Sequence, residues 1–269
     1  MAAPAPHPTF VIIGAERAAT RWLRFHLDQH PDICAPPLHL DYFGDPERMA
    51  TLGFRWYRRQ FTTFKGEPFV GEASPSYMMW KNQPAQVARR MYKALPDARL
   101  IAIVRNPIDR FTSAVRHHIR WGRLPQGQSL YSMILQGGDA FTSVDPIGCS
   151  VMFSSLYPFV DRFGDQLQLL FYDDLVADPA AFYRSALSHI GASTDFVPDG
   201  LDQRLFSDAD AVDIEPLTEL ERQIVYQFFG PDVDLLSDWA GRDLTSWEPR
   251  SVQDLGTPDL TSVFLSGEL

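Results

Sequence analysis

The sequence predicts an α/β fold: one domain in which helices flank a central, mostly parallel sheet. Three observations predict it. Four apolar runs, too short for helices, read as strands buried on both faces. Helical periodicity recurs between them. No Pro-, Gly- or Ser-rich linker divides the 269 residues, a length that suits one large domain.

The elements follow in order. Thr9 to Ile13 is the first strand, and Ala19 to Gln29 carries a helical pattern closed by His30-Pro31. Phe69 to Gly71 is the second strand, with a helix over Gln86 to Ala94 after it. Leu100 to Val104 is the third, leading into a helix from Pro107 to Trp121. The start of that helix is well marked: Asn106 can cap it, Pro107 suits its first position, and Asp109 adds first-turn charge. Leu167 to Tyr172 is the fourth strand, and Leu217, Leu220, Ile224 and Phe228 trace the apolar face of a late helix. The domain runs over residues 9–248, and 1–8 and 249–269 read as terminal extensions.

Hydrophobic content of 45% and charged content of 22% are those of a soluble globular enzyme. A net charge of -10 argues against nucleic-acid binding and against docking on anionic lipid. No apolar run approaches the about 18 residues of a membrane span, and the first residues lack a secretory pattern. Cys34 and Cys149 read as buried thiols of a reducing compartment, so a cytoplasmic location is expected. No metal-ligand spacing occurs, and no metal is expected.

In open parallel sheets, ligands sit beyond the carboxyl ends of the strands. Two strand ends here run into arginines: Ile13 leads to Gly14 and Arg17, and Val104 leads to Arg105. A helix starting near Ala19 would aim free N–H groups and its dipole at the first turn, where Thr20, Arg17 and Arg21 add a hydroxyl and two charges. That describes an anion site, although not a Walker A loop, since no lysine precedes a Ser/Thr. Taken alone, the turn fits a plain strand–helix junction with solvated arginines equally well.

Further stretches extend the pattern: "GEASPSYM" at 71–78, "LIAIVRNPIDRFTSAVRHH" at 100–118, "LLFYDDLVADPAAFY" at 169–183 and "LLSDWAGRDLTSW" at 235–247. With them the chain, from about residue 9 to residue 248, resembles the sulfotransferases that use 3′-phosphoadenosine-5′-phosphosulfate (PAPS), in particular the branch of heparan-type and bacterial enzymes. The most specific piece is Arg105-Asn-Pro-x-x-Arg110-x-x-Ser113. The resemblance implies a P-loop NTPase-like fold with a five-stranded parallel sheet. It implies that the first turn, with Gly14, Arg17, Ala18, Ala19, Thr20 and Arg21, holds the 5′-phosphosulfate, and that Arg105 and Ser113 hold the 3′-phosphate. Arg110 either joins them or pairs with a carboxylate to brace its helix.

The chain departs from the family at two places. Its first turn reads Arg17-Ala18-Ala19-Thr20-Arg21 where relatives carry Lys-x-Gly-Thr-Thr. Arginine cannot protonate a leaving phosphate, having a pKa above about 12, but it can neutralise one. The second departure is "HPDICAPPLHLDYFG", where His39 aligns with the family's general-base glutamate. An imidazole with a pKa near about 6.5 suits removal of a hydroxyl proton at neutral pH, so His39 is the expected base and Asp41 the reserve. His117 and His118 are read as shaping the acceptor pocket. Asp173 and Asp174 admit a magnesium-holding role, but a strand-to-helix cap is preferred. Glu72 and Tyr77 either orient the acceptor at the same mouth or serve the structure.

The resulting expectation is metal-independent sulfuryl transfer from PAPS, with His39 and Arg17 catalytic. A small apolar or aromatic acceptor is preferred, because a long polyanionic glycan would need a broad basic cleft. The rivals are a nucleotide kinase or hydrolase and a non-catalytic nucleotide-binding relative.

Overall fold

The computed structural model describes residues 6–203 and 214–249. Five parallel strands, β1 (Phe10–Gly14), β2 (Ile33–Cys34), β3 (Phe69–Ala73), β4 (Arg99–Val104) and β5 (Leu167–Phe171), form one sheet in the order β2-β3-β1-β4-β5. The α-helices of the described residues are α1 (Thr20–Leu27), α2 (Pro46–Arg59), α3 (Pro84–Ala94), α4 (Pro107–Arg120), α5 (Leu130–Gln136), α6 (Asp139–Val144), α7 (Met152–Phe163), α8 (Tyr172–Ala177), α9 (Pro179–Ile190), α10 (Glu219–Tyr226) and α11 (Gly230–Ala240).

The strands are continuous apolar runs because both faces of the sheet are covered. Phe10 to Ile13 and Leu100 to Val104 have no exposed surface at all. Helices α7 and α9 each pack on β4 and β5, while α3 packs on α7 and α1 on α9. In register, Val11 of β1 lies between Glu72 of β3 and Leu100 of β4. The chain leaves β1 toward β3 on one side and later returns to β4 on the other. The reversal opens a crevice at the carboxyl ends of β1 and β4, where a ligand is expected.

Helix α4 connects this sheet to a second apolar cluster. Ile108, Phe111, Val115 and Ile119, one stripe at helical spacing, pack with Leu130, Met133, Phe141, Val225 and Phe229. Each fully buried side chain of this size contributes about 2–3 kcal/mol. That burial holds α4 in one rotation, which leaves Asp109, Thr112, Ser113, Arg116 and His117 along the crevice.

Two expectations change. The residue pattern showed four strands, and β2 is the fifth, a pair of residues too short to carry a period. The late helix is turned by about one residue from the expected face. Leu220 and Phe228 are exposed, whereas Val225 of α10 and Phe229, just before α11, are buried in the cluster formed with α4. The expected tail beyond residue 249 lies outside the described residues.

Candidate active site

The turn after β1 is shaped by its backbone. Arg17 and Ala19 adopt left-handed conformations, with φ of 65° and 66°. The bend lets α1 begin at Thr20, where its first intrahelical bond runs from Leu23 N–H to Ala19 O. The earlier N–H groups of α1 have no acceptor within the helix and are oriented as an anion site requires. Gly14 faces the core: a Cβ there would meet Met78 Sδ at 2.7 Å. Ala18 is also buried. Neither lines the crevice, while Arg17, Ala19, Thr20 and Arg21 do.

Across the crevice, Asn106 caps α4 by accepting from Ile108 N–H at 3.0 Å and Asp109 N–H at 3.3 Å. The cap fixes Arg105, the first residue past β4. Its guanidinium lies over the Tyr172 ring at 4.4 Å and donates through Nη1 to Arg17 O at 3.1 Å. Arg17 in turn donates from Nε to Ser113 Oγ at 3.1 Å and from Nη1 to His117 Nδ1 at 3.3 Å. The two expected anion sites are therefore contiguous, joined through Arg17.

These residues line one cleft of about 1310 Å³. It exceeds the roughly 300–1,000 Å³ of a typical small-molecule pocket and has room for more than one ligand. Five arginines (Arg17, Arg21, Arg24, Arg105, Arg116) and four acids (Glu16, Asp28, Asp109, Asp202) line it, so the cleft carries no acidic excess although the chain has a net charge of -10. Arg116 Nε is buried without a hydrogen-bond partner. The donor set suits a ligand with two phosphate-type anions: forked guanidiniums, a hydroxyl and a helix N-terminus.

His39 is exposed on the loop after β2 and lines the same cleft, with its Nε2 at 3.0 Å from Ser76 Oγ. Asp41, the reserve base, lies behind Ser76 and is not among the lining residues. His117 lines the cleft, but His118 does not. It is buried, and that burial pushes its pKa down to about 4.

Arg110 does not share the cleft with Ser113. It is fully buried, its three guanidinium nitrogens have no hydrogen-bond partner, and burial lowers its pKa despite the nearby Glu16 carboxylate. The α4 rotation that buries Phe111 carries Arg110 inward with it.

Glu72 and Tyr77 do not face the mouth either. Both are fully buried, and Glu72 accepts from Tyr57 Oη at 3.1 Å, Tyr77 Oη at 2.7 Å and Ser74 Oγ. Burial raises the Glu72 pKa, and its hydroxyl donors oppose that rise.

Asp173 and Asp174 are in the first turn of α8 and make no capping bond. Asp174 is held bidentately by Arg242, at 2.6 and 2.8 Å, and Asp173 accepts from Trp247 Nε1. The pair therefore fastens the segment after α11 to the start of α8. Among the described residues no group of three or more His, Cys, Asp or Glu is placed to hold a metal ion.

Sequence patterns give no separate signal for Ser76, although it stands in the quoted "GEASPSYM", or for Tyr172, the last residue of the expected fourth strand. Trp22, Phe25 and Arg116 also line the cleft, and none was singled out, although Arg116 stands in the quoted stretch at 100–118.

Comparison with known proteins identifies relatives of the chain. A profile described as "Sulfotransferase family" matches residues 8–195. A crystal structure of a sulfotransferase from Alicyclobacillus acidocaldarius is 30% identical, with a TM-score of 0.74, and the match covers 90% of this chain and 99% of that one. Heparan sulfate glucosamine 3-O-sulfotransferase 3B1 of Mus musculus is 29% identical over 187 residues, 68% of this chain and 46% of its own length. A mouse sulfotransferase solved with PAP shares the fold at 13% identity and a TM-score of 0.50, over 88% of this chain and 90% of that one. The chain spans less than half the length of the curated relatives it matches.

Proposed function

The chain belongs to the sulfotransferase family, and we propose that it moves a sulfuryl group from PAPS to a hydroxyl or amine of an acceptor. One observation carries the reading. Arg105 past β4 bonds the turn past β1, and Arg17 of that turn bonds Ser113 of α4, so cationic donors from neighbouring strand ends meet in one cleft.

Arg105 and Ser113 would hold the 3′-phosphate, and the α1 N-terminus with Thr20 and Arg17 the 5′ end. PAPS, when bound, supplies the sulfuryl group and a phosphate leaving group. Arg17 acts by charge: it keeps its proton and stabilises negative charge developing on that phosphate. His39 receives the proton of the acceptor. The chain's residues thus contribute orientation, fixed charge and one proton acceptor, and the reading requires no metal.

The acceptor is proposed to be a small apolar or aromatic molecule. Trp22, Phe25, Leu38 and Leu201 line the cleft, and its near balance of arginines and acids gives no extended basic track for a polyanion. Among the described residues no helix is long and apolar enough to cross a membrane. The cytoplasmic location is also part of the proposal and rests on the buried, unpaired Cys34 and Cys149.

The test compares melting temperatures with 3′,5′-adenosine bisphosphate (PAP), the product of PAPS, and with ATP plus magnesium. At tens of dissociation constants, a bound ligand stabilises by roughly 2 kcal/mol. Selective stabilisation by the bisphosphate, with sulfate transfer in the absence of added metal, supports the reading. Stabilisation only by ATP and magnesium favours a kinase or hydrolase. Binding of the bisphosphate with no turnover of any acceptor favours a non-catalytic relative.

A further inference from the structure

His39 and Asp41 stand two residues apart, yet only His39 lines the cleft. Between their side chains sits Ser76, on the short turn Pro75–Met78 after β3. Ser76 Oγ is 2.7 Å from Asp41 Oδ1 and 3.0 Å from His39 Nε2. A serine hydroxyl has one proton to give, and a carboxylate at neutral pH only accepts. Ser76 therefore donates to Asp41, and the proton between Ser76 and His39 belongs to His39 Nε2. In the neutral ring the lone pair is then on Nδ1.

We propose that Ser76 and Asp41 are positioning residues that hold His39 with Nδ1 as its proton-accepting atom. The inference rests on the assignment of His39 as the base for sulfuryl transfer. When His39 acts, the acceptor's O–H or N–H bond breaks, its electron pair stays on the acceptor atom, and an N–H bond forms at Nδ1. The imidazolium then faces the Asp41 carboxylate through the Ser76 hydroxyl, which stabilises the charge where it appears.

The surroundings hold this chain of groups in place. Asp41 is in the left-handed region at φ 45°, which Asp tolerates better than most residues, and its N–H donates to the buried Ser74 Oγ at 3.1 Å. A Cβ on Gly44 would crowd Asp41 Oδ1, so the carboxylate keeps this position with glycine there. Asn82 Nδ2 donates to Ser76 O at 2.8 Å, and Tyr42 N–H to Tyr77 Oη at 3.1 Å. Arg90 of α3 is near enough to feel the Asp41 carboxylate. A base left on an unbraced loop would need none of these contacts.

The test joins long-range 1H–15N NMR of the histidine-labelled full chain to steady-state kinetics. His39→Gln assigns the His39 signals. In the unprotonated wild-type ring, Nε2 carries the proton and Nδ1 does not. Ser76→Ala and Asp41→Asn each lower kcat about tenfold with the KM for PAPS unchanged. Ser76→Thr, which keeps the hydroxyl, restores kcat to within about threefold, and Asn keeps the left-handed backbone of position 41 accessible. Full wild-type kcat in Ser76→Ala, or a proton on Nδ1 of the neutral ring, overturns the inference. Unimpaired transfer by His39→Gln overturns instead the base assignment beneath it, whatever the spectra show.

Discussion

Arg105 Nη1 donates to the backbone carbonyl of Arg17 at 3.1 Å, so the first residue beyond β4 grips the turn beyond β1. Removing it withdraws a charge from the cleft and slackens that turn. Hydrogen bonds to charged groups are worth about 1.5–3 kcal/mol, so Arg105→Ala weakens PAP binding about 10- to 150-fold. Arg105→Lys recovers little, because an ammonium neither forks nor stacks on Tyr172 as the guanidinium does. Isothermal titration with PAP measures both variants, and an unchanged Kd in Arg105→Ala would falsify the phosphate role.

Arg17 is assigned to charge that develops during transfer. Arg17→Ala lowers kcat by about 10²–10³, the usual cost of losing one such donor. Arg17→Lys restores a substantial part, since a lysine can also neutralise the leaving phosphate. A kcat loss confined to a few-fold, in initial-rate assays at saturating PAPS, would remove Arg17 from the reaction.

His39→Ala abolishes proton removal without touching the phosphate donors. Turnover falls about 10²–10⁴-fold and the Kd for PAP stays at the wild-type value. Equal losses in turnover and in PAP affinity would mean that the residue shapes the cleft rather than acting in it.

Ala19 occupies a left-handed position at φ 66°, where a Cβ is strained and glycine is not. Ala19→Gly stabilises the fold by about 0.5–1 kcal/mol. The readout is the urea midpoint, and a drop in stability contradicts the backbone conformation described for this turn.

His118 titrates at about 4 in the fold against 6.5 for a free imidazole, because burial disfavours its charged form. Between these values the unfolded chain takes up a proton that the folded one does not. This contribution to stability is complete above pH 6.5, falls as the pH drops toward 4, and is worth about 3 kcal/mol over the window. His118→Gln has a shallower loss of stability over that window than wild type in parallel urea titrations. Parallel curves would mean that the imidazole is solvated in the fold.

Much of the frame is legible in the chain because it is local. The ends of β1 and β4 and the start of α4 are each written in fewer than twenty consecutive residues: an apolar run, a capping Asn106, a Pro107. The side on which a polar residue falls is less legible. Arg110 and Ser113 share one helix and one motif, yet one is fully buried and the other lines the cleft. The difference is the rotation of α4, set by contacts with Val225 and Phe229 more than a hundred residues away. Glu72 is likewise in an apolar strand with no signal that Tyr57 and Tyr77 would enclose it.

By itself the sequence determined the sheet-and-helix alternation, the arginines at two strand ends, and the candidate histidine at position 39. The tertiary structure alone decided that Arg17 would bridge to Ser113, that Asp41 would stand behind His39 with Ser76 between them, and that Arg110 and His118 would be buried away from the cleft. The physical reason is range. Strand and helix patterns arise from backbone geometry over a few residues, whereas the partner of a polar side chain is chosen by packing among segments the chain order keeps apart.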